Sequence, residues 1–218
     1  MVAAWKAGRY FSGNPHLRSY VTCKCLTDPV YPFLARRLAI TNAPILDVGC
    51  GPGALGAFLR ASGHRSRYLG LDPDSAKVES AKKALGHLGC DFLVADASSL
   101  PEHQGVVVML DVLHYIEPSR RSELFGALGR RLAITCALYV RTTLRDRSWR
   151  YRVTQLEESF IKAVGWIPMP SLAFPTREEI LIYSKAAGLE INLQPMWGCT
   201  PFNSYLCTLH RSQVIRSD

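Results

Sequence analysis

The sequence lacks the features that would place it in a membrane or outside the cell. No apolar run approaches the ~20 residues that span a bilayer, and the opening MVAAWKAGRYFSGNPHLRSY has no uninterrupted apolar core of a secretory signal. The seven cysteines are odd in number and include no C-x-x-C pair. Cys23 and Cys25 flank a single lysine, a spacing too short for a zinc clamp, so no metal site is expected. These absences point to reduced cysteines, a cytoplasmic protein and no membrane partner. Internal repeats and low-complexity segments are also missing. What remains is a 218-residue chain, 48% hydrophobic, long enough for one domain with a sizeable core.

Acids are scarce in one region. Between Arg120 and Arg152 stand nine arginines (120, 121, 130, 131, 141, 145, 147, 150 and 152) against Glu123 and Asp146. This window supplies most of the net charge of +8. A solvated helix face and a basic loop would explain it. An anionic substrate, an acidic carrier protein or a nucleic acid would explain it equally.

Periodicity divides the chain in two. Leu17, Val21, Cys25, Tyr31, Leu34 and Leu38 recur at helical spacing after Pro15, with a restart at Asp28-Pro29. From Pro44 onwards short apolar runs alternate with helical stretches. The expected strands are 45–48, 67–72, 91–96, 106–111 and 132–140, and the expected helices 54–63, 74–89 and 119–131. Alternation of this kind implies right-handed crossovers and a parallel sheet covered on both faces. A T-x-x-E capping box opens a further helix at 176–188, and LEINLQPM and NSYLCTLHR read as an antiparallel edge pair. The expected organisation is a helical cap (1–43), a core (44–140), an insertion carrying Trp149 and Trp166 (141–175), and a final helix with edge strands (176–218).

The stretch ILDVGCGPGALG carries two glycine signatures at once. Gly51, Gly53 and Gly56 spell the G-x-G-x-x-G of a dinucleotide loop. Asp47, Gly49, Gly51 and Gly53 spell D-x-G-x-G-x-G, a loop for S-adenosylmethionine. Asp72, 23 residues after Gly49 and at the end of the next strand, suits the ribose hydroxyls of either cofactor. Asp47 separates the two readings. A carboxylate beside the loop opposes a pyrophosphate, whereas S-adenosylmethionine brings a sulfonium and an ammonium. Each residue also has an ordinary role to fill: the glycines a tight turn, Asp72 a cap, Asp96 a turn acid, Cys50 a small buried filler.

ILDVGCGPG (45–53), YLGLDPD (68–74), VADASSLP (94–101) and VVVMLDVLHYI (106–116) together resemble the class I S-adenosylmethionine-dependent methyltransferases. The resemblance implies a Rossmann-like, doubly wound α/β fold with seven strands, mostly parallel, the last antiparallel. It implies donor contacts from Asp47, Gly49, Cys50, Gly51, Gly53, Asp72, Pro73, Asp96, Ala97, Asp111 and Leu113. His114 is the candidate base and Tyr115 the candidate hydrogen-bond donor to an acceptor.

The acceptor is read from what surrounds these motifs. Amino-group methylation of bases in this fold goes with N-P-P-Y or D-P-P-Y, where this chain has L-D-V-L-H-Y. Methylation at cytosine carbon 5 needs a Pro-Cys pair that is missing, and Cys136 lies in an apolar run. These points argue against nucleic acid, although an RNA enzyme using residues 120–152 stays as the alternative, with an idle binding subunit behind it. Trp149, Tyr151, Trp197 and Phe202, interleaved with arginines, can wall a pocket for a planar acceptor or pack a core. Arg18, Tyr20 and Lys24 are lid candidates. RSYVTCKCLTDPVYP, SWRYRVTQLEESF, FPTREE and WGCTPFNSY are similar to methyltransferases of bacterial aryl-polyene pigment pathways. That similarity implies an aromatic, carrier-borne acceptor, with an acidic acyl carrier protein as partner.

Overall fold

A computed structural model describes residues 1–163, 173–198 and 200–212, with side chains for all of these but 157–163. Its sheet has seven strands in the order β3-β2-β1-β4-β5-β7-β6, where β1 is Ile45–Val48, β2 Tyr68–Asp72, β3 Cys90–Val94, β4 Val106–Leu110, β5 Leu138–Thr143, β6 Leu189–Pro195 and β7 Ser204–Arg211. The chain separates into two compact units, Met1–Pro101 with Met196–Thr200, and Glu102–Pro195 with Pro201–Asp218. Each is described by itself.

The first unit opens with three helices, α1 (Val2–Arg9), α2 (Pro15–Thr27) and α3 (Val30–Leu38). Asn14 caps α2 by accepting the Leu17 N–H at 3.1 Å, and Asp28 accepts the Val30 N–H at 3.1 Å where the helix restarts. The first helix precedes Pro15 and was not legible, because its inward face is Ala4, Ala7 and Gly8 and carries no large apolar stripe. β1, β2 and β3 pair in parallel, and all of β1 is buried, as a strand covered on both faces requires. Between them run α4 (Ala54–Ala61) and α5 (Ser75–Leu85). Asp74 caps α5 through the N–H groups of Ala76 and Lys77. Gly70 is where β2 admits its neighbours: a Cβ there would lie 2.7 Å from Phe92 and 2.8 Å from the Cys50 sulfur.

In the second unit β4 and β5 are parallel, and β7 lies antiparallel to both β5 and β6. The expected fold class is the observed one. Two helices, α6 (Pro118–Arg130) and α8 (Arg177–Ala186), flank these strands, and Thr176 and Glu179 close the expected capping box. The strand expected at 132–140 is displaced to 138–143. Its apolar start is instead a turn, with the Cys136 N–H bonded to the Ala133 carbonyl and Ile134 82% exposed. Arg141 therefore sits in a strand and not in a basic loop. The remaining helix is α7 (Trp149–Ala163), and residues 164–172, with Trp166, lie outside the described residues.

Candidate functional site

In the first unit the chain leaves β1 into a loop whose glycines take φ of 76° (Gly49), 56° (Gly51) and 87° (Gly53). Left-handed backbone at successive alternate positions curls the chain tightly into α4. At Gly53 the requirement is double, since a Cβ would also meet Leu85 at 2.9 Å. The loop's donors are already committed. The N–H groups of Gly49 and Cys50 both reach the Leu71 carbonyl, at 2.7 and 2.8 Å, and the Gly51 N–H reaches Asp72 Oδ2 at 2.8 Å.

Asp72 is the hinge pin of this loop. Its Oδ1 accepts the Asp74 N–H at 3.0 Å, so each carboxylate oxygen holds one backbone donor and keeps further acceptor capacity. Pro73, which follows it, is exposed. Asp47 is 2% exposed and accepts a hydrogen bond from the Tyr68 hydroxyl. Burial, partly offset by that hydrogen bond and reinforced by the nearby Asp72 charge, pushes its carboxyl up to about 7. Cys50 is buried, and the same burial drives its thiol far above the ordinary range, as befits a filler and not a nucleophile. Two residues beyond β3, which ends at Val94 and not at the expected 96, Asp96 accepts the N–H and hydroxyl of Ser98, with Ala97 half-buried beside it. Trp197 is half-buried in this unit, where the following Gly198 packs on Pro29. On α2, Arg18 and Tyr20 are exposed and Lys24 half-buried; Tyr20 and Lys24 share a face one turn apart, whereas Arg18, two residues before Tyr20, does not face it.

In the second unit Asp111 follows β4 with a φ of 58°, a conformation rare outside glycine, although aspartate tolerates it better than most. The backbone is held there by the Asp111 N–H on the Arg141 carbonyl at 3.0 Å. The side chains meet as well: Arg141 Nη1 lies 2.7 Å from Asp111 Oδ2, and Nη2 donates to Ser204 Oγ at 3.0 Å. Arg141 is 5% exposed. Leu113 is fully buried, and His114, 5% exposed, stacks between Tyr115 (centroids 4.2 Å) and Phe174 (5.2 Å). Tyr151 meets Phe174 edge-on at 5.8 Å. The loop carrying His114 is clamped from outside. Arg121, 1% exposed, donates Nε to the Ile116 carbonyl at 3.0 Å and Nη2 to the Ala173 carbonyl, while the Ala173 N–H reaches the His114 carbonyl at 3.0 Å.

The structure thus gathers the expected loop residues in the first unit, and Leu113, His114, Tyr115 and Tyr151 with Phe174 in the second. Trp149 stands apart, 61% exposed, with the Arg150 guanidinium 4.8 Å over its ring. Phe202 is half-buried before Asn203, whose side-chain amide donates to the Leu144 carbonyl and to Asp146, each at 2.8 Å. Arg121, Arg141, Phe174, Asn203 and Ser204 were not singled out from the sequence. An arginine inside the apolar run LYVRTT was the one available sign of Arg141's burial.

Parts of this chain are similar to known proteins. A family model described as a methyltransferase domain matches residues 45–134. A phthiotriol/phenolphthiotriol dimycocerosates methyltransferase of Mycobacterium tuberculosis is 30% identical over 95 residues, 42% of this chain and 35% of that protein. A ribosomal RNA small subunit methyltransferase C of Pseudomonas aeruginosa is 36% identical over 87 residues, 34% of this chain and 26% of that protein. The matched stretch thus spans about a third or less of these relatives. In fold, the chain is similar to the magnesium protoporphyrin IX methyltransferase of Synechocystis PCC 6803 crystallised with SAH, with a TM-score of 0.66 at 20% identity, over 90% of this chain and 87% of that one.

Proposed function

We propose, from the match of residues 45–134 to a family model described as a methyltransferase domain, that the protein transfers a methyl group from S-adenosylmethionine to oxygen or carbon of a small aromatic or carboxylate-bearing acceptor. One observation carries the choice of donor. The N–H groups of Gly49, Cys50 and Gly51, which a pyrophosphate would need, are taken by the Leu71 carbonyl and the Asp72 carboxylate. A phosphate would meet an anion there, whereas a cationic ligand without phosphate meets a favourable field.

S-adenosylmethionine supplies an electrophilic methyl carbon on sulfur. Around it, the remaining lone pairs of Asp72 are proposed to accept the ribose hydroxyls, and the glycine loop to admit the amino-acid arm. Asp96 and Ala97 complete the proposed donor set of the first unit. Methyl transfer destroys charge, so the chain's main contribution is alignment and exclusion of water. His114 is proposed as the base for a hydroxyl or carbon-acid acceptor, and Tyr115 as hydrogen-bond donor to it. Tyr151 and Phe202 are the proposed acceptor walls of the second unit. Arg145 and Arg147, both exposed, are the proposed grip for a carboxylate or for an acidic acyl carrier protein. The similarity to aryl-polyene pigment methyltransferases supports a carrier-borne aromatic acceptor.

RNA is the weaker substrate reading. Two of the nine arginines that favoured it, Arg121 and Arg141, are buried and bonded internally. Isothermal titration with S-adenosylmethionine, its demethylated product and NADH tests the donor. Micromolar binding of the first two and none of NADH is expected, and binding of NADH alone would overturn the reading. Ser at Arg145 and Arg147 together should raise the KM of an anionic acceptor or carrier.

A further inference from the structure

We infer that the outer face of α1 docks this protein on an anionic lipid surface. Among the described residues no helix is long and apolar enough to cross a membrane, but a helix lying in the interface is a different physical state. In α1 the usual assignment of sizes is inverted. Ala4, Ala7 and Gly8 face inward, with Phe11 buried one turn beyond. At Gly8 a Cβ would come 1.9 Å from Thr22 Oγ1 of α2, so the two helices approach too closely for a larger residue. The large apolar side chains are left outside: Val2 is 83% exposed and Trp5 58% exposed. Lys6 and Arg9, both exposed, complete the stripe, since positions 2, 5, 6 and 9 follow the i, i+3, i+4, i+7 rule of one helix face.

Charge selects the occupant. Residues 1–27 hold Lys6, Arg9, Arg18 and Lys24 and no aspartate or glutamate. A two-fold contact with a second copy would set this cationic stripe against itself. An anionic bilayer satisfies both components, because tryptophan rings settle at the headgroup level and each nearby cation gains from the surface potential. This surface goes beyond the function proposed above, and its test does not read methylation.

The test is co-sedimentation of the whole chain with vesicles of equal parts phosphatidylglycerol and phosphatidylcholine, or of phosphatidylcholine alone. Binding to the first and not the second is expected. Trp5→Ser should weaken it about tenfold, from the loss of one interfacial side chain. Each of Lys6→Ser and Arg9→Ser should weaken it about fivefold. Trp149→Ser, at a comparably exposed tryptophan elsewhere, should change nothing. The altered side chains are exposed, so unchanged circular dichroism is expected throughout. Failure to bind either vesicle overturns the inference, as does dependence on Trp149 instead of Trp5. A dimer in sedimentation velocity that Trp5→Ser abolishes would assign the face to a second copy. Retention on poly-glutamate that is as strong as on vesicles, and indifferent to Trp5→Ser, would assign it to an acidic protein.

Discussion

The Tyr68 hydroxyl donates a hydrogen bond to Oδ2 of Asp47, so the first acid of the glycine-loop motif is tied into the strand beside it. Tyr68 is 1% exposed, and its ring also bounds α4, where a Cβ on Gly56 would come 3.0 Å from it. Asp47 thereby fixes the position of the loop relative to β2, whatever further role its charge has toward a donor.

This pair sets a pH dependence. Asp47 is raised from an ordinary 3.8 to about 7, chiefly by burial. Between those values the folded chain holds a proton that the unfolded chain has released. The corresponding stability is complete below the lower value and is lost as the pH rises through the upper one. Asp47→Asn stays neutral and can still accept from Tyr68. Denaturant titrations at pH 5 and pH 8 should show a loss of stability in the parent that is absent from the variant, on the order of a few kcal/mol at most. Parallel losses in both would assign the titration to another group.

Asp72 is the residue whose removal should affect the donor most. Asp72→Ala strips the acceptor from the Gly51 and Asp74 N–H groups, and in the proposed function it also removes the ribose contact. Donor affinity is expected to fall at least tenfold, roughly the worth of one charge-assisted hydrogen bond. Asp72→Asn, with one acceptor oxygen in place of two, should fall between the two. Isothermal titration measures this directly, and an unchanged Kd in the Ala variant would remove Asp72 from the donor site.

The loop, the strands and Asp72 were readable because each rests on local chemistry. Alternate glycines need positive φ, β1 is a short apolar run broken only by Asp47, and Thr176 with Glu179 announces a helix start three residues apart. Arg141 and Asp111 were not readable as a pair, because they are 30 residues apart and the contact follows from parallel pairing of β4 with β5. The same arginine read as part of a solvated basic stretch, a reading that composition alone allows and strand placement corrects. Similarly, Phe174 meets His114 through a contact between residues far apart in the sequence, which no periodicity encodes.

His114 separates packing from proton transfer. Its ring is enclosed by Tyr115 and Phe174, so His114→Phe keeps an aromatic there and should cost little stability, whereas His114→Ala opens a cavity worth about 2–3 kcal/mol. If His114 is the base proposed above, both variants lose turnover on a hydroxyl acceptor, and the Phe variant does so with its melting temperature nearly intact. Full turnover in the Phe variant would leave His114 a packing residue alone.

Asp111 and Arg141 should show the largest structural coupling in the second unit. Arg141→Met leaves the Asp111 carboxylate and the Ser204 hydroxyl without this donor, and breaking a buried pair costs about 3–5 kcal/mol. The lower end is expected, because the Asp111 side chain is 32% exposed and can regain water. At Asp111 the backbone adds a second requirement, since φ is 58°. Asn tolerates that conformation and keeps one oxygen for Arg141, so Asp111→Asn should be milder than Asp111→Ala, which loses the pair and strains the backbone by about 1 kcal/mol more. Asp111→Gly removes the strain and the pair together and should lie between them. Urea denaturation of the three variants gives the order, and a Gly variant less stable than the Ala variant would mean that the backbone conformation is not held against a cost at this position.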